Sequence, residues 1–287
     1  MKVVLFCGGL GMRLRDYAEN VPKPMVPIGY RPIIWHLMKY YAHFGHKDFV
    51  LCLGYRGDMI KHYFLNYEEC VSNDFVLSEG GRKRELLNSD ISDWRITFVE
   101  TGLNSNIGQR LKAVEPHLRG EQVFLANYSD GLTDLPLHDQ IADFRAHDAV
   151  ASFLCVKPNL SYHFVTTADG GRVTSFRDIA QSGLRVNGGF FIFRQDIFRY
   201  IADGDELVLE PFQRLVHAGK LRAYGYDGFW LPMDTAKDKK RIEDLYAQGN
   251  PPWEVWRKDA AKPRPDEPRA ESSAAASRPL VYVAPDV

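Results

Sequence analysis

The chain begins with a short apolar run that leads directly into a cluster of glycines. Residues 3–7 are apolar and start with two valines, which is typical of a buried strand. Three glycines follow this run: Gly8, Gly9 and Gly11. Because glycine has no Cβ, backbone N–H groups in such a turn can approach an anion closely. Arg13 and the proline-flanked Lys23 add two positive charges, so the segment predicts a phosphate site suited to a nucleoside triphosphate.

Two well-known glycine signatures do not fit this spacing. The Walker A loop has Lys-Ser or Lys-Thr directly after its last glycine, and the dinucleotide-binding loop has Gly-x-Gly-x-x-Gly followed about 20 residues later by an acidic residue. The sequence contains neither pattern here. A lone glycine cluster would indicate an ordinary strand-to-loop turn, but Arg13 and Lys23 favour the anion site. The missing dinucleotide spacing argues against a Rossmann-type oxidoreductase.

The composition is typical of a globular protein that binds a small ligand. The chain has 287 residues, of which 45% are hydrophobic and 13% aromatic, enough for a substantial core. Its formal net charge of -1 gives no general attraction to nucleic acid or to an anionic membrane. No apolar run approaches the roughly 18 residues of a membrane span and the start is unlike a signal peptide, so we expect a cytoplasmic protein with no membrane partner. The four cysteines form no Cys-x-x-Cys pair, and we expect them to be reduced core residues.

Short apolar runs alternate with segments of helical periodicity along the first half of the chain. Strands are predicted at 49–53, 96–100 and 123–128, with helices from Pro32 and over 58–67 between them. This alternation predicts an α/β fold with a doubly wound, Rossmann-like sheet that is mostly parallel. Ligands of such sheets bind beyond the carboxyl ends of the strands.

The second half of the sequence predicts a mixed sheet and a final helix. Short strands are expected at 149–156, 164–167, 173–176 and 188–193, and helices over 206–218 and 235–248. We assign residues 1–256 to one domain. Residues 257–287 are rich in proline, alanine and serine, a composition that cannot offset the entropy of ordering, so we predict a disordered tail there.

The opening motifs resemble a known family. Residues 8–14, Gly-Gly-Leu-Gly-Met-Arg-Leu, and residues 22–25, Pro-Lys-Pro-Met, are similar to the signature of sugar-1-phosphate nucleotidyltransferases, above all those of the glucose-1-phosphate cytidylyltransferase branch. The resemblance implies a GT-A-like nucleotidyltransferase fold with small sugar-binding β elements. It implies an enzyme that condenses a nucleoside triphosphate, CTP in that branch, with glucose 1-phosphate or a modified analogue to give a nucleotide sugar and pyrophosphate. It further implies that Arg13 contacts the β- and γ-phosphates, that Lys23 contacts the α-phosphate, and that the chain forms a homo-oligomer.

Two aspartates are candidate ligands for a divalent cation. Transfer of a nucleotidyl group brings several negative charges together, and Mg²⁺ uses one or two protein carboxylates beside the phosphates of its substrate. Asp130 follows the strand at 123–128, and Asp234 precedes the last helix. Taken singly, Asp130 could be a turn aspartate and Asp234 a helix N-cap. As a pair they resemble the two magnesium-binding aspartates of the family.

The resemblance also implies where the base and the sugar bind. The segment around Gly108 and Gln109 corresponds to the base-recognition region, although the cytidylyltransferase pattern has Thr and Gly where this chain has Ile107 and Gln109, which leaves CTP and other nucleotides open. Arg110 and Lys112, beside it, are equally well explained as solvated helix charges. The residues that the resemblance places near the sugar are Asn187, Gly188 and Glu210.

One family motif is missing from the sugar half. Relatives carry a Glu-Lys-Pro triplet before the Asn-Gly-Gly run, and its lysine binds the phosphate of the sugar. Here the corresponding residues are 176–179, Phe-Arg-Asp-Ile, so Arg177 is the candidate replacement. The absence of this lysine motivates an alternative function, a catalytically weakened subunit that binds nucleotide sugars or regulates a partner.

Overall fold

The structure is a computed structural model that describes residues 1–9, 21–158, 163–179, 182–260 and 281–282. Its strands are β1 (Lys2–Phe6), β2 (Pro27–Ile28), β3 (Arg31–Pro32), β4 (Asp48–Leu53), β5 (Phe75–Ser78), β6 (Lys83–Leu86), β7 (Arg95–Glu100), β8 (Val123–Tyr128), β9 (Gly131–Thr133), β10 (Ala151–Val156), β11 (His163–Thr167), β12 (Val173–Asp178), β13 (Val186–Asn187), β14 (Phe191–Arg194), β15 (Leu221–Tyr226), β16 (Trp230–Pro232) and β17 (Val281–Tyr282). Its helices are α1 (Ile33–His43), α2 (Gly57–Leu65), α3 (Glu69–Ser72), α4 (Ile107–Ala113), α5 (Leu137–Arg145), α6 (Glu210–His217), α7 (Ala236–Ala247) and α8 (Val255–Ala260).

An eight-stranded sheet forms the centre of the molecule. Strands β7, β4, β1 and β8 lie side by side in that order and are all parallel. Next to β8 comes the antiparallel β14, then β10, which pairs in parallel with β15. The predicted mixed, mostly parallel α/β sheet is confirmed. The carboxyl ends of β1 and β8 meet at one edge, because neighbouring parallel strands end on the same side.

Both faces of the sheet are covered, as a doubly wound fold requires. Alternate residues of β1 contribute to different cores: Val3 and Leu5 pack with α1 and α5 on one face, and Val4 and Phe6 pack with α4 and α6 on the other. A third cluster of buried side chains joins β2, β9, β16 and α7 beyond the sheet edge. This cluster supports the segments that carry the candidate site. None of the helices that the structure describes has the length and apolar character needed to span a bilayer.

Several elements differ from the sequence-based expectation. The helix predicted over 206–218 begins only at Glu210, because Leu209 has non-helical φ and ψ angles of -103° and -95°. The hairpin of β5 and β6 and the pair of β9 and β16 were not predicted, since the first is exposed and the second joins residues far apart in sequence. The domain boundary proposed after residue 256 falls within α8. Within the segment predicted as a tail, residues 281–282 pair with β6.

A bulge in the sheet positions the predicted sugar-binding segment. Strands β13 and β14 both run antiparallel to β10, but the register shifts by two residues between them. Residues 188–190 form the bulge, with Gly189 at φ 76° and Phe190 at φ 47°. Asn127 of β8 fixes it by accepting a hydrogen bond from the Phe190 N–H at 2.9 Å. The bulge presents Asn187 and Gly188 beside the end of β8.

Candidate active site

A cavity of about 550 Å³ opens at the carboxyl ends of β1 and β8. Its wall includes the start of the glycine turn, the start of α4 and the segment between β8 and β9. The lining residues are Phe6, Cys7, Gly8, Gly9, Lys23, Pro24, Leu103, Asn104, Ser105, Ile107, Arg110, Tyr128, Ser129, Asp130 and Asp234. The structure therefore brings five of the predicted residues to one place: Gly8, Gly9, Lys23, Asp130 and Asp234.

A second cavity of about 210 Å³ adjoins the first. It is lined by Asn127, Tyr128, Asp130, Gly131, Asn187, Gly188, Trp230, Pro232 and Asp234. Tyr128, Asp130 and Asp234 line both cavities, so they form a common wall between them. Burial raises the pKa of Tyr128 to about 12, which keeps its hydroxyl neutral. Two ligands placed in the two cavities would meet at the pair of carboxylates.

A short antiparallel pair holds the two aspartates together. Asp130 lies in the turn between β8 and β9, and Asp234 lies two residues after β16. Because β9 pairs with β16, the backbone N–H of Met233 donates to the carbonyl of Asp130 at 2.9 Å. The N-cap of α7 is Thr235, whose side chain and that of Asp238 form a capping box. Asp234 is thus not the N-cap, and its carboxylate faces Lys23 instead.

Lys23 joins the two carboxylates with a single ammonium group. Its Nζ lies 2.5 Å from Oδ2 of Asp130 and 2.7 Å from Oδ1 of Asp234. The lysine begins a 3₁₀ turn in which its neighbours Pro22 and Pro24 restrict the backbone. Burial disfavours the charge on Lys23, but the attraction and hydrogen bonds of both carboxylates outweigh this effect and raise its pKa. Lys23 therefore stays positively charged between two anions.

Arg110 is a buried cation that ties together the loops around the larger cavity. It is 2% exposed, although it lies on α4 beside solvent-facing residues. Its guanidinium donates to the hydroxyl of Thr101 at 2.7 Å and to four backbone carbonyls, those of Gly8, Leu53, Gly102 and Leu103, at 2.9–3.3 Å. These acceptors lie at the end of β4 and just after β1 and β7, so one side chain links three strand ends.

The position of Arg110 also accounts for one of the glycines. A Cβ at Gly8 would overlap the guanidinium of Arg110, so glycine is needed there to admit the arginine. The solvated-charge interpretation is wrong for Arg110, and it holds for Lys112, which is half exposed and pairs with Glu115 at 2.9 Å. The sequence did carry a signal: Ile107, Arg110, Leu111 and Val114 recur at the spacing of one helix face.

The residues predicted for the base lie beside the cavity and have other contacts. Gln109 is exposed and forms a capping box with Asn106, in which its backbone N–H donates to Oδ1 of Asn106 at 2.8 Å. Gly108 packs so closely against residues 205–207 that a Cβ would overlap the carbonyl of Asp205. Asn104 and Ser105, which belong to the segment predicted to recognise the base, do line the cavity.

Of the residues predicted to bind the sugar, two line the smaller cavity and two line neither cavity. Asn187 and Gly188 line the smaller cavity, and the indole N–H of Trp230 donates to the carbonyl of Gly188 at 2.9 Å. Arg177 lies exposed on β12 opposite Phe164 and lines neither of the two cavities. Glu210 is exposed in the first turn of α6, where its carboxylate accepts a hydrogen bond from the Glu206 N–H at 3.0 Å. Gly11 and Arg13 lie outside the described residues.

The common wall is where a divalent cation could be held. Across the described ranges of the chain, no group of three or more His, Cys, Asp or Glu side chains is placed to bind a metal. Asp130 and Asp234 supply two carboxylates that already share one cation, the ammonium of Lys23. A pair of carboxylates at an open cavity suits a hard cation that keeps other oxygen ligands from its substrate.

Comparison with known proteins identifies the family of this chain. Residues 2–231 match the model of the nucleotidyl transferase family. A glucose-1-phosphate cytidylyltransferase from Salmonella typhi is 37% identical over 258 residues, which cover 89% of this chain and 100% of the relative. A probable glucose-1-phosphate cytidylyltransferase from Bacillus subtilis is 34% identical with the same coverage.

Solved structures share the fold at lower identity. HddC from Yersinia pseudotuberculosis superimposes with a TM-score of 0.62 and 19% identity, covering 85% of this chain and 99% of that protein. A putative glucose-1-phosphate thymidylyltransferase from Bacillus anthracis gives a TM-score of 0.62 with 15% identity, covering 85% of this chain and 94% of that protein. The chain belongs to the nucleotidyl transferase family and, within it, is a sugar-1-phosphate nucleotidyltransferase.

Proposed function

We propose that this protein transfers a cytidylyl group from CTP to glucose 1-phosphate or a modified analogue of it, releasing pyrophosphate. The observation that carries the proposal is the common wall of Tyr128, Asp130 and Asp234 between two adjoining cavities. A nucleoside triphosphate fits the larger cavity beside the glycine turn, and a sugar phosphate fits the smaller one. The relatives from Salmonella typhi and Bacillus subtilis supply the choice of CTP and glucose 1-phosphate.

The reaction needs positioning and charge neutralisation more than it needs an acid or a base. An oxygen of the sugar phosphate attacks the α-phosphorus of CTP and forms a new P–O bond. The bond between the α-phosphorus and the oxygen that bridges to the β-phosphate breaks, and pyrophosphate leaves with that oxygen. The attacking group is already an oxyanion, so no side chain has to remove a proton.

The other residues of the candidate site have distinct roles in this proposal. The ammonium of Lys23 neutralises charge on the α-phosphate, to which it can move from the carboxylates, and Arg13 contacts the β- and γ-phosphates. Asn187 and Gly188 bind the sugar in the smaller cavity. The role of Arg110 is to hold the strand ends that surround the nucleotide. Its guanidinium is not a dedicated nucleotide ligand, since it already donates to five protein oxygens.

Asp130 and Asp234 would hold Mg²⁺. The cation would neutralise phosphate charge and orient the triphosphate in the larger cavity when it is bound. The two carboxylates fit this role because they face one shared point from two different loops, where a positive charge is already stabilised.

A pyrophosphate-release assay tests the proposed function. Purified protein with Mg²⁺ is offered CTP, dTTP, UTP, ATP and GTP, each combined with glucose 1-phosphate and with a panel of other sugar 1-phosphates. We expect rapid release with CTP and a glucose-type 1-phosphate. Fast release with another nucleotide and slow release with CTP would contradict the choice of base, and the positions of Ile107 and Gln109 would be the first to examine.

A weakened binding or regulatory subunit is the alternative that the sequence supports. The Glu-Lys-Pro lysine is absent, and Arg177 stands exposed on β12 away from both cavities. Exchange of labelled pyrophosphate into CTP in the presence of CDP-glucose separates the two functions. A subunit of this kind would bind the nucleotide sugar without catalysing the exchange.

Two further properties belong to the proposal. We expect a homo-oligomer, because the β5–β6 hairpin exposes Phe75, Val76 and Leu77, which are 38%, 46% and 57% accessible. Light scattering during size-exclusion chromatography would give the number of subunits.

We also expect the protein to work in the cytoplasm, where nucleoside triphosphates are available as substrates.

A further inference from the structure

We propose that Lys23 holds the place of the divalent cation in the nucleotide-free protein, so that the site admits the metal together with a nucleotide and not alone. This inference rests on the proposed function, because it concerns the same two carboxylates. It adds to that function that the metal enters together with the nucleotide. It also gives Lys23 a second role, which is to occupy the metal's place before the nucleotide binds.

The geometry of the ion pairs is the first step. One ammonium lies 2.5 Å from an oxygen of Asp130 and 2.7 Å from an oxygen of Asp234. Lys23 comes from the proline-restricted turn, Asp130 from the end of β8 and Asp234 from the loop before α7. Three separate segments therefore converge on one positive charge. Without a cation at this point, two carboxylates would face each other across a partly buried wall and repel.

The second step is competition for the same oxygens. A divalent cation that binds these carboxylates meets the ammonium at contact distance, and like charges so close are strongly repelled. The side chain of Lys23 is 14% exposed, so an ammonium displaced by the metal gives up both ion pairs and gains only partial hydration. Its backbone is also restrained, because Pro22 and Pro24 flank it. Free metal must therefore displace this charge from two carboxylates at once.

A nucleotide changes this balance. A triphosphate in the larger cavity carries about four negative charges, and its oxygens are good acceptors for an ammonium group. Lys23 can then exchange a carboxylate for a phosphate oxygen at little cost, which removes the ammonium from the oxygens of Asp130 and Asp234 that the metal would bind. The metal and the nucleotide thus favour each other's binding through Lys23, as reciprocal coupling requires. The species that the site accepts is the metal–nucleotide complex.

The test measures metal binding without any nucleotide. Mn²⁺ is titrated into the full-length protein, and free Mn²⁺ is followed by electron paramagnetic resonance. The variants are Lys23→Met and Lys23→Gln, which remove the charge, and Lys23→Arg, which keeps it. Lys220→Met is the matched control, because Lys220 pairs with Asp148 and lines neither cavity of the site. Thermal unfolding of each variant confirms that it is folded.

We expect Lys23→Met and Lys23→Gln to bind Mn²⁺ about tenfold more tightly than the unchanged protein, or better, as coupling energies of this kind typically give. Lys23→Arg and Lys220→Met should bind like the unchanged protein. Adding Asp130→Asn to Lys23→Met should abolish the gain, since the extra affinity depends on the freed carboxylate.

Three results would overturn the inference. They are equal Mn²⁺ affinity with and without the Lys23 charge, a gain that survives Asp130→Asn, and no Mn²⁺ binding by the neutral variants at millimolar concentration. Failure of the proposed function would be seen separately, as absence of pyrophosphate release by the unchanged protein. Tight Mn²⁺ binding by Lys23→Met in a protein without that activity would leave the inference standing and the function refuted.

Discussion

At the level of single residues, the charge of Arg110 is stabilised by neutral oxygens. Its guanidinium donates to four backbone carbonyls and to the hydroxyl of Thr101. Burial lowers the pKa of Arg110, but an arginine remains charged at any pH at which proteins fold. The guanidinium therefore contributes through its hydrogen bonds, which fix the loops that follow β1, β4 and β7.

Replacement of Arg110 by methionine should destabilise the protein by about 3 kcal/mol, because several buried carbonyls lose a charged donor. Urea unfolding at equilibrium measures the change. Lys112→Met is the matched control: it lies two residues further along α4, is half exposed, and should change stability by less than about 0.5 kcal/mol. Equal effects of the two substitutions would show that the hydrogen bonds of Arg110 do not stabilise the fold.

Lys23 is the residue whose loss should affect turnover most directly. In Lys23→Ala, no ammonium is left to neutralise charge that grows at the α-phosphate, so we expect kcat to fall by about 100-fold or more. The KM for CTP should change far less, since the glycine turn and Arg13, which we propose to bind the triphosphate, remain. Steady-state kinetics with varied CTP separates the two constants. An effect confined to KM would mean that Lys23 binds the substrate without assisting the reaction.

At the level of elements, the bulge between β13 and β14 connects the sheet to the smaller cavity. Gly189 sits at φ 76°, and a Cβ there would overlap Oδ1 of Asn127, the atom that fixes the bulge. Gly189→Ala should therefore cost about 2 kcal/mol of stability and displace Asn187 and Gly188. We expect the KM for the sugar 1-phosphate to rise by about tenfold while the KM for CTP is kept.

Gly219→Ala provides the control for this substitution. Gly219 also has a positive φ, 65°, but a Cβ there would meet no atom within 4 Å. Backbone strain alone should cost about 1 kcal/mol and leave both KM values unchanged. If Gly189→Ala affected stability and kinetics no more than Gly219→Ala does, the bulge would not be what positions the sugar-binding segment.

The same elements show what sequence patterns can and cannot predict. Strands β1, β4, β7, β8, β10 and β14 of the central sheet, together with α1, followed from runs of apolar residues and their periodicity, because burial imposes that pattern locally. The pairing of β9 with β16 left no such pattern, since it joins Gly131 to Pro232 across the chain. The contact of Lys23 with Asp234, 211 residues apart, depends on that pairing. The sequence motifs therefore predicted which charged residues belong to the site. The ion pairs between them could be seen only in the three-dimensional structure.

At the level of the whole molecule, the segment 253–256 closes the third cluster of buried side chains. Trp253 is 1% exposed, and its indole N–H donates to Nδ1 of His36 on α1 at 3.3 Å. Trp256 packs edge-on against Trp35, with ring centroids 6.1 Å apart. These contacts join the end of the domain to the helix that follows the turn of Lys23.

Two truncations should therefore differ sharply. A chain that ends at Ala260 keeps both tryptophans and should melt within about 2 °C of the full-length protein with unchanged kcat/KM, because residues 261–287 have a composition that gains little by ordering. A chain that ends at Pro252 loses a fully buried tryptophan and should lose about 3–5 kcal/mol. Calorimetry and the pyrophosphate assay measure both. Comparable losses in the two truncated chains would mean that the tail beyond α8, including the pairing of β17 with β6, is part of the folded domain.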